Sequence, residues 1–94
     1  MQVKWLRQAL QNLDQEAAHI AKDNPKAASE FVEHMLISVQ ILAEQPNTGR
    51  PGRIPKTREL VIIRYPYIVP YQVKREAVEL LRVFHTSRKW PEGF

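Results

Sequence analysis

Residues 58–85, RELVIIRYPYIVPYQVKREAVELLRVFH, decide the fold. Three runs stand out: Arg58–Ile63, Tyr67–Val73 and Ala77–His85. They are rich in β-branched and aromatic residues, which favour strands. Arg64-Tyr65-Pro66 and Lys74-Arg75-Glu76 are the connections between them. Links this short join antiparallel neighbours. Pro70 lies inside the middle run and has no amide to donate, so a bulge or an unpaired stretch is expected there.

Upstream, the period changes. Leu6, Ala9, Leu10, Leu13, Ala17, Ile20 and Ala21 fall on one helical face and predict an amphipathic helix over 6–22. Asp23-Asn24-Pro25 ends it. Asn24 suits a helix N-cap and Pro25 the first helical position, where no amide donor is needed. Ala28, Phe31, Val32, Met35, Val39 and Leu42 repeat the pattern and predict a second helix to about residue 44. Residues 2–5 alternate like a short strand, and residues 46–57, PNTGRPGRIPKT, form a loop of prolines, glycines and cations. The order strand, helix, helix, strand, strand, strand predicts a single α+β domain over 1–94. A helical hairpin would pack on one face of a small twisted antiparallel sheet and leave part of the other face open.

Composition narrows the chemistry. The chain has no cysteine, which excludes disulfides, thiolate zinc sites and cysteine nucleophiles. His19, His34 and His85 form no metal-ligand spacing, GRPG at 49–52 is not a P-loop pattern and precedes a strand rather than a helix, and no cofactor motif is present. No apolar run suits a signal peptide or a membrane span, so a cytoplasmic protein is expected. The net charge of +4 is uneven. Residues 1–45 carry four Lys/Arg against six Asp/Glu, and residues 46–94 carry ten against four. A basic half of this kind suits a polyanion or an acidic protein as partner.

The candidate site residues come from that half. Arg50, Arg53 and Lys56 in the loop are candidates for nucleic-acid binding, and Arg58, Arg82, Arg88 and Trp90 for target binding. Strict alternation along the last strand puts Arg82 with Leu80 and Phe84, opposite Leu81, Val83 and His85. With Leu81 and Val83 in the core, Arg82 would project onto the open sheet face, with His85 near the core's edge. RNA cleavage by internal transesterification needs an acid, a base and cations on the scissile phosphate. Arg82, His85 and Arg88 are the catalytic candidates for that chemistry, with Trp90 as a stacking platform. The alternative is structural: Arg82 pairs with Glu59 or Glu79, and Trp90 folds back on the sheet.

The segments VKWLRQALQNL, ILAEQPNTGRPGR, TRELVI, PYIVPYQV and VELLRVFHTSRKWP, in that order and at this length, resemble the RelE/ParE superfamily of toxins from bacterial type II toxin–antitoxin modules. The resemblance implies growth inhibition, and a cognate antitoxin whose C-terminal segment wraps the toxin in a hetero-oligomer. RelE-like members are ribosome-dependent endoribonucleases that cut messenger RNA; ParE-like members poison DNA gyrase and are not enzymes of this kind. The RelE pattern places lysines along the first hairpin strand and an arginine in the next. Here Glu59 and Val61 fall where the lysines would be, and Ile68 where the arginine would be. Arg88 matches a C-terminal arginine, but no tyrosine follows it. RVFHTSR at 82–88 resembles the last strand and exit of ParE-like members. The resemblance therefore favours the ParE-like branch, with the RelE-like nuclease as the alternative.

Overall fold

A computed structural model describes residues 1–87 of the chain. Strand β1 (Gln2–Trp5) leads into helices α1 (Arg7–Ala21) and α2 (Pro25–Val39), then a 3₁₀ turn over Gln40–Ala43. Strands β2 (Arg50–Pro51), β3 (Arg58–Val61), β4 (Tyr67–Val73), β5 (Ala77–Leu80) and β6 (Phe84–His85) follow. The helix boundary is built as its residues suggest. The Asn24 side chain accepts the Ala27 amide at 3.1 Å, and Pro25 occupies the first helical turn.

The sheet order is β1-β5-β4-β3-β2, with β6 also paired to β4. The hairpins β3–β4 and β4–β5 are antiparallel, as expected. One pairing differs: β1 lies parallel to β5, so the sheet is mixed rather than antiparallel. The helical hairpin carries the chain across from β1 and returns it to the sheet, and a parallel neighbour requires such a crossover. The Leu6 amide continues the strand into the helix by donating to the Leu80 carbonyl at 3.1 Å.

Both helices bury one stripe on the sheet. Ala9 and Leu13 from α1 meet Phe31, Met35 and Val39 from α2 over Val69, Tyr71, Val78 and Leu80. Each large side chain so buried contributes about 1.5–3 kcal/mol relative to exposure. Leu10, expected on the apolar stripe, is instead exposed, while its neighbours Ala9 and Leu13 are buried. The other sheet face is less open than expected. Ile68 and Pro70 alternate away from the helices, yet both are buried. Their strand β4 is central in the sheet, with β3 on one side and β5 and β6 on the other.

The last strand is not continuous. Tyr71 faces Leu80, whereas Ile68 faces Phe84. Three residues, Leu81 to Val83, therefore oppose two, Val69 and Pro70, which is a bulge. It shifts the alternation by one. Val83 and His85 join Leu80 on the helix side, so the strict-alternation placement of Leu80 with Arg82 and Phe84 is corrected.

Candidate functional site

Pro70 explains the bulge. The Leu81 amide donates to the Pro70 carbonyl at 2.8 Å. A regular antiparallel pair would return a bond from residue 70 to the Leu81 carbonyl, but proline has no N–H. The Arg82 guanidinium fills that place, donating from Nη1 to the Leu81 carbonyl at 3.0 Å. The Val83 amide, turned out of the ladder, donates to Asn12 Oδ1 of α1 at 3.1 Å. Arg82 is half-buried and serves its own bulge; it does not stand free on an open sheet floor. The structural alternatives for it do not form either. Glu79 accepts from Gln72 at 3.0 Å, and Glu59 belongs to other arginines.

His85 lies at the core's edge, as expected. Its ring meets Tyr67 edge-on, with centroids 5.2 Å apart. Its Nδ1 accepts the Ser87 amide at 3.1 Å and lies 2.8 Å from the Ser87 hydroxyl. An amide only donates, so this nitrogen is an acceptor and a neutral ring carries its proton on Nε2. Tyr67 in turn donates its hydroxyl to Glu16 Oε1 of α1 at 2.8 Å. A carboxylate, a phenol and an imidazole are thus gathered at the strand exit. Arg88 and Trp90 lie outside the described residues.

The loop cations have a different environment. Glu59 of β3 is buried, with its side chain 3% exposed. It accepts from Arg50 Nε at 3.1 Å, from Arg50 Nη2 at 3.0 Å, and from Arg53 through its amide at 3.0 Å and Nε at 3.3 Å. Burial alone would push this carboxyl up; the Arg53 amide and the two guanidinium groups outweigh it and hold it below its usual range. Arg58 donates to the Gly49 carbonyl at 2.7 Å and the Asn47 carbonyl at 3.3 Å. Arg50 and Arg53 are therefore clamped by a carboxylate, and Arg58 by backbone. Lys56 sits at the tip of a turn closed by Thr57 N–H to the Ile54 carbonyl at 3.2 Å. Its φ of 67° follows Pro55, the arrangement of a type II turn.

Tyr71 anchors the start of the loop. Its buried hydroxyl donates to the Pro46 carbonyl at 2.7 Å and accepts the Gly49 amide at 2.8 Å. Burial pushes this phenol up, against the opposing pull of the Gly49 amide and Arg58. A Cβ on residue 49 would lie 2.6 Å from the Tyr71 ring and hydroxyl, so only glycine lets the backbone approach this closely.

The family model for the ParE toxin of the type II toxin–antitoxin system parDE matches residues 3–90. The chain belongs to the ParE toxin family. It is 47% identical over 90 residues to "Putative toxin Y4kP" of Sinorhizobium fredii (strain NBRC 101917 / NGR234), covering 96% of this chain and 93% of that one. A solved structure described as "Chromosomal ParDE TA system from P. aeruginosa" superposes with a TM-score of 0.84 at 29% identity, over 93% of this chain and 97% of that one. The ParE-like branch favoured by the resemblance and the α+β fold expected from the order of elements are those found. No helix among the described residues is long and apolar enough to cross a membrane.

Several residues that organise this region escaped the sequence reading. Glu59 was visible as the only acid near Arg50, Arg53, Lys56 and Arg58, yet nothing local says that it is buried. Glu16 and Asn12 reach the strand exit from α1, across 51 and 71 residues of sequence. The off-stripe aliphatics Ile37 and Ile41, and Val61 and Ile63 beside β4, are exposed. Their signal was present: they are apolar residues that the helical and strand periods leave on the wrong side.

Proposed function

We propose that this ParE-family toxin acts by poisoning DNA gyrase in the cytoplasm, as a binding protein rather than a nuclease, and that a cognate antitoxin neutralises it in a hetero-oligomer. The carrying observation is the surroundings of the positions where RelE-like nucleases place their strand cations. Glu59 is buried against its own arginines, Ile68 is buried beside Phe84, and Val61 is an exposed aliphatic. A developing phosphorane needs preorganised positive charge, and these positions supply none. The family match and the ParDE neighbour support the same branch and the antitoxin partner.

In this reading Arg88 and Trp90 supply the target anchors, since cationic and aromatic side chains dominate protein interfaces. Arg58 and Arg82 contribute by shaping the sheet surface through their carbonyl bonds. Lys56, at the exposed turn tip, is the loop cation best placed to meet DNA held by the target.

The test is a gyrase cleavage assay with purified toxin, run beside primer extension on a message in a translating-ribosome system. Linear DNA trapped by gyrase, with intact message, is the expected result. Message cut while gyrase stays active would overturn it in favour of ribosome-dependent cleavage. Arg82, His85 and Arg88 would then be the catalytic set to mutate.

A further inference from the structure

We infer that two hairpin tips at one end of the sheet form a phosphate-binding surface for the backbone of duplex DNA, carried by Lys56, Arg58, Lys74 and Arg75. Which complex holds that DNA rests on the gyrase reading above; the binding itself does not.

The sheet register brings the four cations together. Arg58, the first residue of β3, lies opposite Tyr71 near the end of β4. The β2–β3 tip and the β4–β5 tip therefore leave the sheet at the same end. The first is closed by the Gly52 amide donating to the Thr57 carbonyl at 2.8 Å, the second by the Lys74 amide donating to the Ala77 carbonyl at 2.7 Å. Both tips are short and pinned by backbone bonds, so their charges sit on a fixed frame. Four adjacent strands, β2 to β5, spread them over about 15 Å. One DNA strand places a phosphate every 3.4 Å or so of helix axis, so this width spans about four or five of them.

The charge at these tips is uncommitted. Arg50 and Arg53 are held by Glu59. No hydrogen bond or ion pair to another described residue occupies the side chain of Lys56, Lys74 or Arg75, and all three are exposed. Arg58 spends Nη1 on the Gly49 and Asn47 carbonyls, which fixes its guanidinium and leaves Nε and Nη2 to bond outward. Glu76 is the acid of the same turn.

The surroundings select the ligand. A depression of about 270 Å³ joins the two tips, lined by Asn47, Pro51, Lys56, Thr57, Arg58 and Val73. Val73 is its one large aliphatic, and it has no aromatic ring. Protein partners seek an apolar and aromatic centre, and single strands need rings on which bases stack. A lining of cations and small polar groups suits the backbone of a duplex, bound without regard to sequence. The site is also separate from the strand exit. His85 pairs with Tyr67 at the start of β4, and β4 runs seven residues to Val73, so the two ends stand about 20 Å apart. The toxin can thus meet a protein target at one end of β4 and that target's DNA at the other.

The experiment is fluorescence anisotropy of a labelled DNA duplex of mixed sequence, titrated with the full chain. Affinity is expected to fall about a hundredfold from about 50 to about 200 mM salt, a log–log slope of about −3 to −4. Lys74→Glu and Arg75→Glu should each weaken binding about tenfold, and Glu76→Lys should tighten it severalfold. Lys22→Glu makes the same change in net charge at the far tip of the helical hairpin, beyond the Glu16–Tyr67 contact, and should leave binding within about twofold. Equal losses in Lys22→Glu and the tip variants would mean attraction by net charge alone and overturn the site. A poly-glutamate peptide or an RNA duplex bound more tightly than DNA through the same residues would give the surface to another partner and also overturn it. In the gyrase cleavage assay, Lys74→Glu and Arg75→Glu should raise the toxin concentration needed for trapping about tenfold. Trapping and duplex binding that both ignore these variants sink the site and leave the gyrase reading intact. Residue-dependent duplex binding by a chain that traps no gyrase sustains the site and removes the gyrase reading.

Discussion

The two halves of β3 use their residues in opposite ways. The first half, Arg58 and Glu59, is polar and closed. Its carboxylate holds Arg50 and Arg53, its arginine holds two loop carbonyls, and β2 covers its edge. The second half, Leu60 and Val61, continued beyond the strand by Ile62 and Ile63, is apolar, and no strand among the described residues covers its outer edge. Charge in this chain does not mark the working surface by itself. The loop arginines serve the fold, and aliphatic side chains that resemble core residues stand exposed.

The contrast is tested most severely at Glu59. Glu59→Ala removes the acceptor for four donor contacts, and should destabilise the chain by about 2–3 kcal/mol in urea unfolding. The cost stays below that of a fully buried pair because Arg50 and Arg53 are half-exposed and turn to water. The same carboxylate carries an acid dependence. Its folded value lies below the ordinary 4.5, so its contribution is fully present above that pH and is lost as pH falls through the folded value. Glu59→Gln should remove that part of the acid limb. A limb identical to that of the parent chain would break the comparison.

Tyr71→Phe is the next step down. It leaves the Gly49 amide and the Pro46 carbonyl without their shared partner, and a loss of about 1–2 kcal/mol is expected. Deletion of the hydroxyl without cost would mean that the loop is held by Glu59 alone.

The bulge gives a sharper test, through coupling rather than size. Arg82→Ala should cost about 1 kcal/mol in the parent chain. In a Pro70→Val background, residue 70 regains an amide for the Leu81 carbonyl, and the same change should cost close to nothing. Equal costs in the two backgrounds would show that Arg82 does not substitute for the missing donor.

Ile63→Lys should have the smallest effect on the free chain. At 99% exposed it packs against little, and the unfolding free energy should change by no more than about 0.5 kcal/mol in either direction. A large loss would show that the open half of β3 is part of the core after all.

Periodicity and turn chemistry by themselves determined much of this protein. The helical stripes, the Asn24-Pro25 boundary, the β4 limits and the bulge opposite Pro70 all follow from local rules: a 3.6-residue repeat, a cap, a missing amide. The family came instead from the resemblance of particular segments, VELLRVFHTSRKWP above all, to RelE/ParE-like toxins. Tertiary structure alone decided the rest. The parallel β1–β5 pair, the burial of Glu59, the reach of Glu16 and Asn12 to the strand exit, and the stretch of β3 edge that no strand among the described residues covers depend on residues far apart in sequence. The physical reason is that the energy of a charge or an edge depends on what lies across from it. An arginine facing water and an arginine facing a buried carboxylate are the same letter, and only the fold supplies the neighbour.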